Sequence, residues 1–205
     1  MRTTRSLAAT TLLLAAVVAA VGLTACGSSS SSTKPSSSPV TKTYANTDYG
    51  FSLSYPGSLA ESTDTSSTMA AGSGSKLTVG FVDPGGTKIG DVYVEGIVVS
   101  VYALTTEITA DLMPEFKSEL EGIVAQMQQQ DPTAQMTQLE TAAINGVPGY
   151  KLGTTYDNQG TTMKMVTYFL VKGRIEYQVT GQATEQDWAK YAAGFDAAVN
   201  SFTVK

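Results

Sequence analysis

From Gln135 onward the chain repeats one pattern four times. Every alternating run of apolar and polar residues but the last ends in residues that reverse a backbone. Gln135 to Ile144 leads to Asn145-Gly146, the strongest short hairpin signal in protein sequences. Val147 to Tyr156 leads to Asp157-Asn158-Gln159-Gly160, and Thr161 to Val171 leads through Lys172-Gly173 to Arg174–Thr180. Period-two alternation bounded by such turns predicts an antiparallel meander. Between Met163 and Leu170 both parities are bulky, with Met163, Met165 and Phe169 opposing Val166, Tyr168 and Leu170. A strand apolar on both sides is covered on both sides.

The segments before the meander complete an α+β pattern. Phe51-Ser52-Leu53-Ser54-Tyr55 alternates and stops at Pro56, and Lys76 to Val82 ends in the turn Asp83-Pro84-Gly85-Gly86. Gly57 to Ser75 is polar and small, a loop with room for one weak strand. Asp91 to Leu104 reads as one long strand with a β-bulge at Glu95-Gly96, because Val92 and Val94 share one parity and Ile97, Val99 and Val101 the other. Ala110 to Gln130 carries Leu112, Phe116, Leu120, Ile123 and Met127 at helical spacing, with Pro114 in its first turn and Thr109 or Asp111 as cap. A second helix, Thr184 to Ser201, has a capping-box-like Thr184/Asp187 pair and the stripe Trp188, Tyr191, Ala192, Phe195, Ala198, Val199, Phe202. Hairpin-ordered strands with two amphipathic helices imply an antiparallel sheet covered by helices. The expected fold is an α/β (α+β) three-layer α/β/α sandwich with a central, mainly antiparallel sheet.

The N-terminus constrains location. Arg2 and Arg5 precede a nearly uncharged apolar stretch from Leu7 to Val21 and the run Leu23-Thr24-Ala25-Cys26-Gly27. A basic start, a short apolar segment and small residues before a cut are the parts of a secretory signal. The stretch is shorter than the roughly 20 residues that a spanning helix prefers. Leu-small-small-Cys resembles the bacterial lipobox, in which the cysteine sulfur takes a diacylglycerol and becomes the first mature residue. Cys26, the only cysteine, is therefore the expected lipidation site, and lipidation converts a spanning segment into an anchored one. Residues 1–25 read as the signal peptide, 26–42 as the lipidated Cys and Ser-rich tether, and 43–205 as one globular domain. A Ser-rich tether of this length spans about 22 Å r.m.s. and at most roughly 55 Å stretched.

Composition removes whole classes of function. The chain has no histidine, which excludes Ser-His-Asp and Cys-His catalysis and every His-ligated metal. With Cys26 acylated no disulfide can form. The formal net charge of −5 becomes more negative when Arg2 and Arg5 leave with the signal, which argues against nucleic acid.

Two motifs and the closing helix carry a family resemblance. Tyr49-Gly50-Phe51-Ser52-Leu53-Ser54-Tyr55-Pro56 resembles the opening strand of PsbP-like domains, and Ile144-Asn145-Gly146-Val147-Pro148-Gly149-Tyr150 resembles their mid-domain hairpin. The run from Phe195 to Phe202 is similar to their final helix. Gly57 to Leu59 departs from the pattern, lacking the Trp that often follows the Pro in bacterial members. The resemblance, over residues 43–205, implies a fold shared with Ran-binding nuclear import factors and the PsbP subunit of photosystem II. It also implies an extracytoplasmic adaptor or binding module, since enzymes are not the norm in the family.

Other candidate sites have simpler explanations. Gly72-Ser73-Gly74-Ser75-Lys76 lacks the Gly-Lys-[Ser/Thr] of a phosphate loop. Asp83 and Asp157 are turn residues outside any calcium-loop spacing. Glu115, Glu119 and Glu121 form a solvated helix face, and Met113, Met127, Met136, Met163 and Met165 pack a core rather than bind copper. Tyr93, Tyr102, Tyr150, Tyr156, Tyr168 and Tyr177 would form a recognition patch if several emerged on one face. The sequence thus points to a lipid-anchored, non-catalytic binding or adaptor module of the cell envelope. No cofactor, metal or nucleic acid is expected. The membrane, through Cys26, and an envelope protein are the expected partners. The alternative is a carrier of lipid or another apolar ligand in a cavity between helix and sheet. A histidine-free hydrolase would require a pair of carboxylates in one pocket.

Overall fold

The structure, a computed structural model, describes residues 41–62 and 74–205. The expected signal peptide, Cys26, nearly all of the expected tether and the middle of the Gly57–Ser75 loop lie outside the described residues.

The described chain is a mixed α+β fold with a mainly antiparallel sheet and two helices. Strands β1 (Thr41–Asn46) and β2 (Phe51–Pro56) form a hairpin that includes two residues before the expected domain start at residue 43. The main sheet begins with β3 (Ala60–Ser62) and β4 (Leu77–Val82).

The expected long strand Asp91–Leu104 is instead two elements, with a break in place of the bulge expected at Glu95-Gly96. β5 (Lys88–Ile89) and β6 (Val92–Tyr93) make a separate small hairpin, and β7 runs from Gly96 to Ile108. Glu95 causes the break. Its carbonyl accepts the Asp83 N–H at 3.0 Å, and its fully buried carboxylate accepts the Thr87 N–H at 2.6 Å. These bonds close residues 83–95 into a loop, which parity alone cannot distinguish from a bulge.

Helix α1 (Met113–Gln130) follows a 3-10 turn at Ala110–Leu112. Neither Thr109 nor Asp111 caps it, because the 3-10 turn makes Leu112 the first flanking residue, and no side chain bonds there. Pro114 does sit in the first turn. Of the expected stripe, Phe116 and Leu120 are buried.

The expected strand Gln135–Ile144 is broken into β8 (Gln135–Met136) and β9 (Glu140–Ile144). Between them the Thr137 hydroxyl accepts the Gly153 N–H at 2.9 Å and Leu139 turns into the core. β10 (Val147–Asn158) follows the Asn145-Gly146 turn, where both residues have positive φ (48° and 82°), as a type I′ hairpin requires. Asn145 also donates its side-chain amide to the carbonyls of Asn200 and Phe202, at 2.9 and 2.8 Å. The next turn repeats the geometry at Gln159 and Gly160 (φ 53° and 82°).

β11 is continuous strand from Thr161 to Thr184, yet it is not straight. A straight strand of that length would separate its ends by about 80 Å. Instead the Glu185 N–H bonds the Thr162 carbonyl at 2.8 Å, and the Thr167 and Thr180 hydroxyls meet at 3.0 Å. The run therefore folds back on itself at Gly173 (φ 62°), where the sequence places Lys172-Gly173. Its first arm pairs with β10 and its second with β7.

The main sheet thus runs β3-β4-β7-β11-β10-β8, with β9 also on β10. Helix α2 (Trp188–Ser201) starts four residues later than expected. Thr184 and Asp187 bond each other in the turn before it, with the Asp187 N–H to Thr184 Oγ1 at 3.2 Å. The chain ends in β12 (Thr203–Val204), which adds to β2.

Two apolar clusters form on residues of opposite parity. Val147, Tyr168, Leu170, Tyr177 and Val179 join Tyr191, Phe195, Ala198 and Val199 of α2. Tyr150, Leu152, Phe169 and Val171 join Phe116 and Leu120 of α1. Phe51, Tyr177 and Phe202 pack ring on ring at 5.6–5.8 Å, contacts worth about 0.5–1.5 kcal/mol each beyond area burial. Among the described residues no helix is long and apolar enough to cross a membrane.

Candidate functional site

Pairing of β10 with the first arm of β11 sets Lys151 opposite Tyr168, Gly153 opposite Val166 and Thr155 opposite Lys164. Residues two apart on a strand share a face, so these six lie on one side. Helix α2 stands beside them. Its ring at Phe195 rests directly on Gly181 of the second arm, where an added Cβ would lie 2.7 Å from the ring. Only a residue without a side chain lets the helix approach so closely.

Past that contact the floor drops to Val166, and a cleft of about 280 Å³ opens between helix and sheet. Trp188, Ala192 and Asp196 form its helical wall, and Lys151, Lys164 and Tyr168 its sheet side. The Lys164 ammonium lies 5.2 Å from the centre of the Trp188 ring, and Lys151 lies 5.7 Å from that of Tyr168. An ammonium over an aromatic face gains about 0.5–1 kcal/mol at exposed sites, which orders the side chain while leaving its protons free. Among the described residues neither lysine forms an ion pair, and Asp196 is the one carboxylate lining the cleft.

A second cleft, about 460 Å³, lies between α1 and the β8–β9 link, lined by Val124, Gln128, Met136 and Leu139. There Lys117 and Glu121 pair at 3.4 Å, so the groove has no unbalanced charge from them.

The residues singled out by sequence are dispersed. Tyr102, Tyr150 and Tyr177 are buried; the Tyr150 hydroxyl donates to Met113 O at 2.9 Å and that of Tyr177 to Tyr49 O at 2.8 Å. Burial pushes the Tyr156 phenol up to about 12. Tyr93 lies under Lys88, and only Tyr168 reaches the α2 cleft, so no tyrosine patch forms. Met163 is fully buried, whereas Met113 and Met136 pack on the α1 cluster. Asp157 accepts the Gly160 N–H in its turn. Of the glycine-rich run, Gly72 and Ser73 lie outside the described residues, and the Lys76 N–H bonds the Val101 carbonyl.

Asp83 does more than turn the chain. Its carboxylate accepts the Tyr191 hydroxyl at 2.6 Å and the Gly85 N–H at 2.9 Å, with Lys190 at 3.7 Å. Partial burial raises its pKa, but these donors and the Lys190 charge outweigh that and hold it below the ordinary value. The group ties the N-terminal turn of α2 to the end of β4.

Glu119 faces a partner that the sequence did not suggest. Burial and then Glu115 push the Glu119 carboxyl up. Glu176, on the second arm of β11, is raised by burial first; the Gln178 amide at 2.7 Å draws it down, and Glu119 adds an upward push. Neither lines either cleft. Glu121 is bound to Lys117 and Glu115 is exposed. Among the described residues no group of three or more potential protein ligands is placed to hold a metal.

Sequence reasoning missed Lys151 and Lys164 as a pair. The signal was available: Lys164 interrupts the parity of Val166, Tyr168 and Leu170 inside a strand that is otherwise bulky on both faces. A charge at such a position marks where the covering layer stops.

No curated protein sequence matches the chain. Solved structures align with the chain, among them the following three. LpqN of Mycobacterium tuberculosis, described as involved in cell envelope biogenesis, aligns at a TM-score of 0.54 and 12% identity over 82% of this chain and 92% of that one. Cyanobacterial PsbP (CyanoP) from Synechocystis aligns at 0.50 and 18% identity over 85% and 98%. A Bacteroides thetaiotaomicron protein aligns at 0.48 and 14% identity over 80% of this chain and 48% of its own, so this chain spans about half of its length. The PsbP family pattern matches residues 40–204, from the edge of β1 to β12. On that match, the chain belongs to the PsbP family.

Proposed function

We propose that this protein is a lipid-anchored, non-catalytic binding or adaptor module on the extracytoplasmic face of the cell membrane, and that it engages an envelope partner through the α2 cleft. The observation that carries the reading is the pair of lysines, each steadied on an aromatic ring and neither joined to a carboxylate, flanking an open apolar floor. A small apolar floor with a few fixed polar groups is the usual form of a binding site. The α1 and α2 clusters, of opposite parity, support a three-layer helix–sheet–helix arrangement, in which the cleft lies where α2 stops covering the sheet. Cys26 and the signal before it support the anchor, and the envelope role stated for LpqN agrees with it.

The carrier alternative has less support, because the space between α2 and the second arm is filled by Phe195 and both clefts are rimmed by charged side chains. Amine-reactive footprinting tests the binding reading. Lys151 and Lys164 should be labelled more slowly in intact cells than in purified protein, relative to exposed Lys76 and Lys205. Equal relative reactivity in the two settings would show an unoccupied cleft.

A further inference from the structure

The cleft has a length that selects its occupant. Lys151 lies at the level of Tyr168, and Lys164 lies four residues along the same strand, about 13 Å away at 3.3 Å per residue. Between them on that strand lies Val166, which presents one small apolar side chain to the cleft. Each ammonium is kept at its own end by its own ring, Tyr168 or Trp188. A single phosphate or carboxylate group is far shorter than this backbone spacing. A bilayer surface is flat, and the α2 wall keeps it from the cleft floor.

An extended peptide fits. Its side chains project to one side every second residue, so residues i, i+2 and i+4 face the same way across about 13 Å. We propose that the α2 cleft binds an extended acidic peptide segment whose carboxylates at i and i+4 meet Lys151 and Lys164, with an apolar side chain at i+2 seated over Val166. The proposal rests on the reading of this cleft as the binding site. Charge complementarity supports it: two unpaired cations line the cleft of a chain whose formal net charge is −5. Asp196 on the helical wall is the one group that opposes an acidic ligand, which makes it a gate on affinity.

The test has an internal reporter, because Trp188 is the only tryptophan and walls the cleft. The full chain in detergent is titrated with the peptide Glu-Thr-Leu-Thr-Glu, and Trp188 emission is followed. Saturable binding is expected, at least tenfold tighter than for Glu-Leu-Glu-Thr-Thr, whose acids are only two residues apart. Lys151→Glu and Lys164→Glu should each weaken it roughly tenfold, about 1.4 kcal/mol, with circular dichroism unchanged. Asp196→Asn should tighten it, and raising the salt concentration should weaken it.

Equal affinity for both peptides would overturn the proposal. So would an equal response to inorganic phosphate or to phosphatidylglycerol vesicles. If the peptide fails while Lys151 and Lys164 are protected in cells, the peptide inference falls and the binding reading stands. If they are also unprotected, both fall.

Discussion

Replacing Gly181 with Ala would put a methyl carbon 2.7 to 2.9 Å from Cγ, Cδ2 and Cβ of Phe195. That is well inside van der Waals contact, and the ring cannot swing away freely. It is 5% exposed, stacked on Tyr191 at 5.9 Å and tilted against Trp188 at 5.6 Å. Overpacking of this kind costs about 1–3 kcal/mol. Truncating Phe195 to Ala should cost about 3–5 kcal/mol, because Gly181 has no side chain to collapse into the space. Together the changes should cost less than their sum by about 1–3 kcal/mol, since the new methyl enters the cavity that the ring has left. The total remains a large part of a typical stability of about 5–15 kcal/mol. Urea melts of the four proteins measure the cycle. Additive effects would refute the claim that α2 is seated by this contact, and a harmless Gly181→Ala would refute the clash.

Three further outcomes are expected. Cys26→Ser should abolish incorporation of a clickable fatty acid in cells, and equal labelling of wild type and variant would remove the anchor. Asn145→Gly keeps the positive φ but removes two side-chain bonds to the α2 C-terminus, so it should lower stability by about 1–2 kcal/mol in urea melts. Glu176 has a carboxyl pKa raised in the folded protein, so the native state binds that proton more tightly than the unfolded chain. Stability from this group is present at low pH and falls as pH rises from the ordinary glutamate range through the raised native value. Glu176→Gln should therefore raise the melting temperature at neutral pH and flatten its decline across that window; an unchanged profile would show that the carboxyl is not buried.

Much of the fold was legible because local chemistry specified it. Asn145, Gly146 and Gly160 adopt the positive dihedrals that their residue types permit, and the reversal at Gly173 follows Lys172-Gly173. Periodicity found both helices for the same reason. What it missed were elements set by single long-range bonds. Glu95 ends a strand by bonding Thr87 and Asp83, and Thr137 breaks another by bonding Gly153. Neither is visible in alternation. The cleft was partly legible. Trp188 was placed on the buried stripe of α2, and it is half-buried because the helix stops covering the sheet there. That boundary depends on how closely Gly181 admits Phe195, a tertiary distance that no window of sequence contains.

The central claim is that the α2 cleft is occupied by a partner in the cell. A photo-crosslinking amino acid at Val166, on the cleft floor, measures this most directly in living cells, with a second probe at Glu121 beside the α1 groove. The account expects one discrete adduct from position 166 that is lost when Lys151→Glu and Lys164→Glu are added, and no charge-dependent adduct from position 121. An adduct from 121 alone, or one from 166 that is indifferent to both lysines, would contradict it.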